Sequence, residues 1–253
     1  MKKVLSLVAF GIMALGLIAQ NNTKSIDEGD LPARLKTNEI QRLEEVTVLP
    51  QSPLCCFMQK EIEYPEQCAV IGEEGQVVVQ FIIETDGEIR DLKVINPVSK
   101  LLDDQVVYCL KKTSGLWAPA IEHGQAIESV HKLYVTFDIE GNKSLGELSA
   151  EHYKNGIQYI VKGDEIRTDY FLAEDKKLKK ADRQYRYALN HFNEAKKLQA
   201  EEAAIIFWQS KAFERLGDLS MMKDKLDEYL SVLIPDEFEN KDYVCISYPL
   251  DKK

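Results

Sequence analysis

The chain has 253 residues, 45% of them apolar and 29% charged, with 13 Gly and 8 Pro. These are globular proportions and exclude a disordered, collagenous or linker chain. With 32 basic against 42 acidic residues the net charge is −10, which suits nucleic-acid phosphates badly because counterion release rewards Lys and Arg.

Lys2 and Lys3 precede an apolar run over residues 4–19 in which Ser6 is the only clearly polar member, and Asn21, Asn22 and Thr23 follow. This is the layout of a secretory signal peptide over residues 1–20. A spanning helix wants about 20 apolar residues, so an inner-membrane anchor is the alternative. The reading implies an exported chain in the periplasm or cell envelope, where disulfides are permitted. Residues 21–60 read as a connector. Leu35, Ile40 and Leu43 hint at a short amphipathic helix, and residues 46–49 at a strand closed by Pro50 and Pro53.

Residues 61–140 are the clearest block. Tyr64-Pro65 opens a short helix with Tyr64, Cys68 and Ile71 on one face, stopped by Gly72 and Gly75. Val77, Val79, Phe81 and Ile83 alternate as one face of a strand, Asp86-Gly87 turns the chain, and residues 89–95 return. Residues 100–112 form a helix with a Leu102, Val106 and Cys109 stripe. Trp117 to Ala120 crosses in extended form, and His123-Gly124 leads into a long strand over 126–140. The order predicts an α+β domain: a three-stranded antiparallel sheet with two helices on one face, and Val79, Phe81, Leu92, Val106, Leu133 and Phe137 inside.

The run Tyr64-Pro65, Cys68, Gly75, the alternating strand, Asp86-Gly87, a helix, Trp117-Ala118-Pro119 and Gly124 before a last strand resembles the C-terminal domain of the TonB family. Cys68 stands where the family commonly has Ala. The resemblance implies protein contacts: in TonB the last part of the domain pairs with an extended segment of outer-membrane receptors, adding a strand to a sheet edge. The expected role is an exported, envelope-associated protein-binding adaptor, with a TonB-type energy transducer of outer-membrane receptor-dependent transport as the alternative, and three features depart from the transducer. The apolar N-terminal run carries no His, the long Pro-rich spacer is missing, and Ile62-Glu63 replaces the Gln-Pro found before Tyr-Pro in some transducers.

Residues 148–235 read as helical. Ala188, Phe192 and Ala195 recur 34 positions later as Met222, Leu226 and Tyr229, while Gly156 and Gly163-Asp164 recur 54 positions later as Ser210 and Gly217-Asp218. This resembles two divergent tetratricopeptide repeats, the first with a 20-residue insertion between its helices. The resemblance implies a helical-hairpin domain with a concave, partner-binding face. Residues 158–172 could instead be a β-hairpin, with helix favoured. Residues 236–253 read as a tail.

No catalytic motif is present, so the expected role is binding without a cofactor or metal. His123, His131, His152 and His191 are scattered, with no spacing that suggests convergence. Cys68 and Cys109 lie on helix stripes that should face the same sheet, so a disulfide between them is feasible, with two buried thiols as the alternative. Residues 176–197 carry eight basic against two acidic side chains, a face that could meet an acidic partner or a membrane surface or simply be solvated. The sheet face away from the helices should bring Val78 and Ile82 near Val130 and Tyr134, with Gln80 and Lys132 between them. This mixed face is the candidate partner-binding site, for the helical domain, a second copy or an envelope protein such as an outer-membrane receptor. The oligomeric state stays open.

Overall fold

The computed structural model describes residues 33–35, 52–234 and 240–249. The expected signal peptide, the strand at 46–49, and Ile40 and Leu43 lie outside them. Among the described residues no helix is long and apolar enough to cross a membrane.

The sheet is built on β2 (Gly75–Ile83), flanked by antiparallel β3 (Ile89–Asn96) and β7 (Ser129–Ile139). Val77, Val79, Phe81 and Ile83 are all fully buried on one face, as their alternation predicts. The turn between β2 and β3 requires glycine twice over. Gly87 has φ 90°, and a Cβ there would meet the Trp117 carbonyl at 2.2 Å. On the apolar face lie α1 (Pro53–Glu61), α2 (Glu66–Val70) and α3 (Lys100–Lys111). Their Leu54, Met58, Cys68, Leu102, Val106 and Leu110 join one core with Phe81, Trp117, Leu133 and Phe137. Leu92 is only half-buried, because β3 is an edge strand.

Five expectations are corrected. The sheet has four strands and is mixed: β8 (Asn240–Tyr248), within the expected tail, pairs in parallel with β7 from His131↔Asn240 to Ile139↔Tyr248. The connector contains α1, where Pro53 sits in the first turn and Ser52 caps it by accepting from the Cys55 N–H. Leu35 belongs to a two-residue strand, β1 (Arg34–Leu35), paired with β4 (Trp117–Ala118). Ile71 ends the short α2 and is 70% exposed, because one helical turn cannot carry the stripe that far. The long last strand is also interrupted: β5 (Ala120–Glu122) and β6 (Gln125–Ile127) form a small hairpin around His123-Gly124 before β7 begins.

Between β7 and β8 run four helices, α4 (Leu145–Thr168), α5 (Glu174–Leu198), α6 (Ala203–Leu216) and α7 (Leu219–Leu233). Residues 158–168 are therefore helix. Ser144 and Glu147 form a capping box at the start of α4. Gly156 and Gly163, seven apart on α4, open two hollows. A Cβ at Gly156 would lie 2.4 Å from the Phe192 ring, and one at Gly163 2.3 Å from the Tyr185 ring. These contacts fix the antiparallel register of α4 against α5. Asp164 ties α6 to the same place, accepting from Tyr185 Oη (2.8 Å) and from Arg215 Nε (2.8 Å) and Nη2 (2.9 Å).

Candidate functional site

The two edges of the sheet differ. β3 is bulged against β2, with register shifts at Val78/Val79 and Gln80/Ile82, and Asp91 sits at φ 50°. Arg90 on it pairs with Glu84 at 2.6 Å and Glu128 at 2.9 Å. Bulges and charge make this edge a poor template for another strand. The β7 edge is regular, and β8 fills it over nine residue pairs.

Several contacts hold β8 there. Val244 and Ile246 point into the core. Ser52 Oγ donates to Asp242 Oδ1 (2.5 Å), and Cys55 Sγ donates to the Tyr243 carbonyl (3.2 Å), so α1 clasps the strand from one face. Tyr248 meets Tyr64 edge-on at 5.4 Å. On the other face Tyr243 stacks on Tyr134 at 4.7 Å, and Lys241 Nζ reaches Glu201 at 2.8 Å.

Glu201, in the α5–α6 connection, also receives Lys132 Nζ at 3.2 Å. Burial pushes its carboxyl pKa up, but the hydrogen bonds from Lys241 and Tyr134 and the charge of Lys132 outweigh this and hold it below the usual value. The same connection covers part of the outer sheet face. Val78, Tyr134 and Ala200 form a small buried cluster. The Ala200 N–H donates to Gln76 Oε1 (3.3 Å), and Asn96 Nδ2 donates to the Lys196 carbonyl (3.2 Å).

The four residues of the candidate face thus split into two registered pairs. Val78↔Tyr134 is closed beneath Ala200 and Tyr243. Ile82↔Val130 lies at the other end, half-buried and 37% exposed respectively. Cys68 and Cys109 remain separate buried thiols: Cys68 Sγ lies 3.9 Å from Ser99 Oγ, and Cys109 Sγ donates to the Glu61 carbonyl (3.3 Å). No disulfide joins the described cysteines.

Among the described residues no group of three or more His, Cys, Asp or Glu side chains gathers for a metal. His152 and His191, 39 positions apart, do meet across α4 and α5, with Nδ1 atoms 3.2 Å apart. Their positions become neighbours only through the Gly156–Phe192 register, which spacing along the chain does not reveal. A concavity lies between α5, α6 and α7, a groove of about 770 Å³ whose walls include Arg186, Asn190, Asn193, Phe213 and Leu219.

His131, on the apolar face of β7, is buried between Phe81 (5.6 Å) and Trp117 (5.1 Å), and neither ring nitrogen has a hydrogen-bond partner. Burial drives its pKa down from 6.5 to about 4. The folded chain keeps it neutral, while the unfolded chain takes up a proton below about pH 6.5. Stability is therefore lost as pH falls from about 6.5 towards 4, by up to about 3 kcal/mol from this group. Denaturant titrations at both pH values should show a smaller acid loss for His131→Phe than for the wild type. Parallel losses would assign the sensitivity to other groups.

Residues 60–139 match the family of the Gram-negative bacterial TonB protein C-terminal. The NMR solution structure of the Helicobacter pylori TonB-CTD is 21% identical over 32% of this chain and 86% of that chain, with a TM-score of 0.26. No curated protein matches. The TonB-like segment accordingly ends with β7, and β8 pairs with it from outside the matched residues.

Proposed function

We propose that the chain is a non-enzymatic, protein-binding adaptor of the cell envelope whose TonB-like edge is satisfied by its own β8. The TonB resemblance supports an envelope location and a protein partner. The observation that carries the adaptor reading is the nine-pair occupation of the β7 edge. A receptor segment added to that edge would first have to displace Val244 and Ile246 from the core and break the contacts of Lys241 and Asp242. The partner instead engages the open groove of the tetratricopeptide-like helices, where Phe213 and Leu219 offer apolar surface and Arg186, Asn190 and Asn193 offer polar groups.

The missing Pro-rich spacer also favours the adaptor over an energy transducer. Thr136 lies opposite Cys245 in the β7–β8 register, so oxidising a Thr136→Cys variant would tie β8 in place. Affinity capture from an envelope fraction, read by mass spectrometry, should return the same soluble partner for the wild type and the tied chain. Arg186→Glu, a change at an exposed position, should lose it. Recovery of inner-membrane motor proteins or outer-membrane receptors by the wild type, abolished by the tie, would establish the transducer reading instead.

A further inference from the structure

The first helical hairpin is longer than the second: α4 and α5 have 24 and 25 residues, α6 and α7 have 14 and 15. The sequence spacings locate the difference. Gly163-Asp164 precedes Gly217-Asp218 by 54 positions, whereas Ala188 and Phe192 precede Met222 and Leu226 by 34. The 20 additional residues are 165–184, the far end of the hairpin. The Asp164–Arg215 pair marks the level at which the second hairpin stops. Beyond it α5 continues from Tyr185 to Glu174, an overhang of about 16 Å at helical rise.

At the tip of this overhang Tyr170 and Phe171 are 96% and 99% exposed. The Phe171 N–H donates to Asp169 Oδ1 (2.8 Å), which orders the turn that carries both rings. Two adjacent aromatic side chains in water forgo the free energy of burial. They stand on a convex tip rather than in a groove, a shape suited to entering a soft apolar phase.

A second observation is electrostatic. Lys176, Lys179, Lys180 and Arg183 recur at i, i+3, i+4 and i+7 on α5, which places them in one exposed stripe running from the tip. Asp175 and Asp182 fall on its flanks, and Glu174, on the opposite side of the helix, pairs with Lys177, off the stripe, at 3.1 Å. In a chain of net charge −10 this stripe is a local feature.

We propose that the α4–α5 tip docks on an anionic phospholipid surface, with Tyr170 and Phe171 in the interfacial layer and the Lys/Arg stripe against the headgroups. Aromatic side chains favour the membrane–water interface, and basic residues are drawn to anionic lipid. One weak signal alone gives marginal, reversible binding, and here the two are adjacent.

The test places an indole at the tip of the full chain. Position 171 is unpacked, so F171W leaves the fold unstrained, and the signal of Trp117 and Trp208 is subtracted with the unmodified chain. On vesicles containing about one-third phosphatidylglycerol and brominated acyl chains, the introduced indole should shift to the blue and be quenched. Pure phosphatidylcholine vesicles should give an effect about fivefold smaller or less. Charge reversal by Lys176→Glu, Lys179→Glu and Lys180→Glu, or about 0.5 M salt, should weaken the response about tenfold. An indole that does not respond to anionic vesicles overturns the proposal. So does equal quenching on zwitterionic vesicles that survives charge reversal. A response to a protein fraction but to neither vesicle assigns the tip to a protein partner instead.

Discussion

Phe81→Ala should lower the free energy of unfolding by about 3–5 kcal/mol, the range for emptying an aromatic site in a packed core. The ring is fully buried and touches Trp117 edge-on at 5.7 Å and His131 at 5.6 Å. Neither neighbour can easily fall into the space. Trp117 is held by its Nε1 donating to Thr113 Oγ1 (3.1 Å), and its carbonyl closes on Gly87. His131 is fixed between two paired strands, β2 and β8. The cavity therefore stays open, and the cost belongs at the upper end of that range. Denaturant titration measures it, and a loss below about 1 kcal/mol would show that the apolar face of β2 is not the wall of this core.

Gly163→Ala should destabilise the chain by about 1–3 kcal/mol, although alanine is ordinarily the better helix former. The added methyl would sit 2.3 Å from the Tyr185 ring, and that ring cannot swing away freely because its hydroxyl donates to Asp164. Burial, and next the bond to Asp164, push the Tyr185 phenol pKa up to about 12, so the bond persists at any ordinary pH. Gly146→Ala, on the same helix, supplies the opposite sign. There a Cβ meets only the end of the Gln199 side chain at 3.6 Å, so the change should be neutral or stabilising by up to about 1 kcal/mol. Thermal melts of the two variants decide the matter. Equal shifts would mean that helix propensity, not contact with Tyr185, governs this face.

These two sites also show what the sequence made legible. The core around Phe81 could be read because β2 alternates cleanly, Asp86-Gly87 marks the turn, and the α3 stripe has helical period. The helical register could not be read, although Gly156 and Gly163 stood out as repeated positions, because a glycine does not announce which ring it admits. β8 was missed for a different reason. Only Val244 and Ile246 enter the core, while Lys241, Asp242 and Ser247 give the stretch a polar look. Nor does local pattern reveal that a strand joins a sheet from across four helices. On the outer face, alternation placed Val78 and Ile82 beside Tyr134 and Val130, which the strand register pairs. It could not show that Ala200 and Tyr243 cover only one of the two pairs.

The position of β8 also sets an order of assembly. Its first pair joins residues 131 and 240, so the whole helical segment is synthesised between the two partner strands. Pairings so distant in sequence form late and slowly. While the helices emerge, β7 presents an unpaired backbone edge of eleven residues, and the part of the core that Val244 and Ile246 will occupy stays wet. Such an edge invites pairing with other chains until it is covered. Vulnerability to misassembly is therefore concentrated in the interval between the folding of β7 and the docking of β8, and chaperone protection would matter most then.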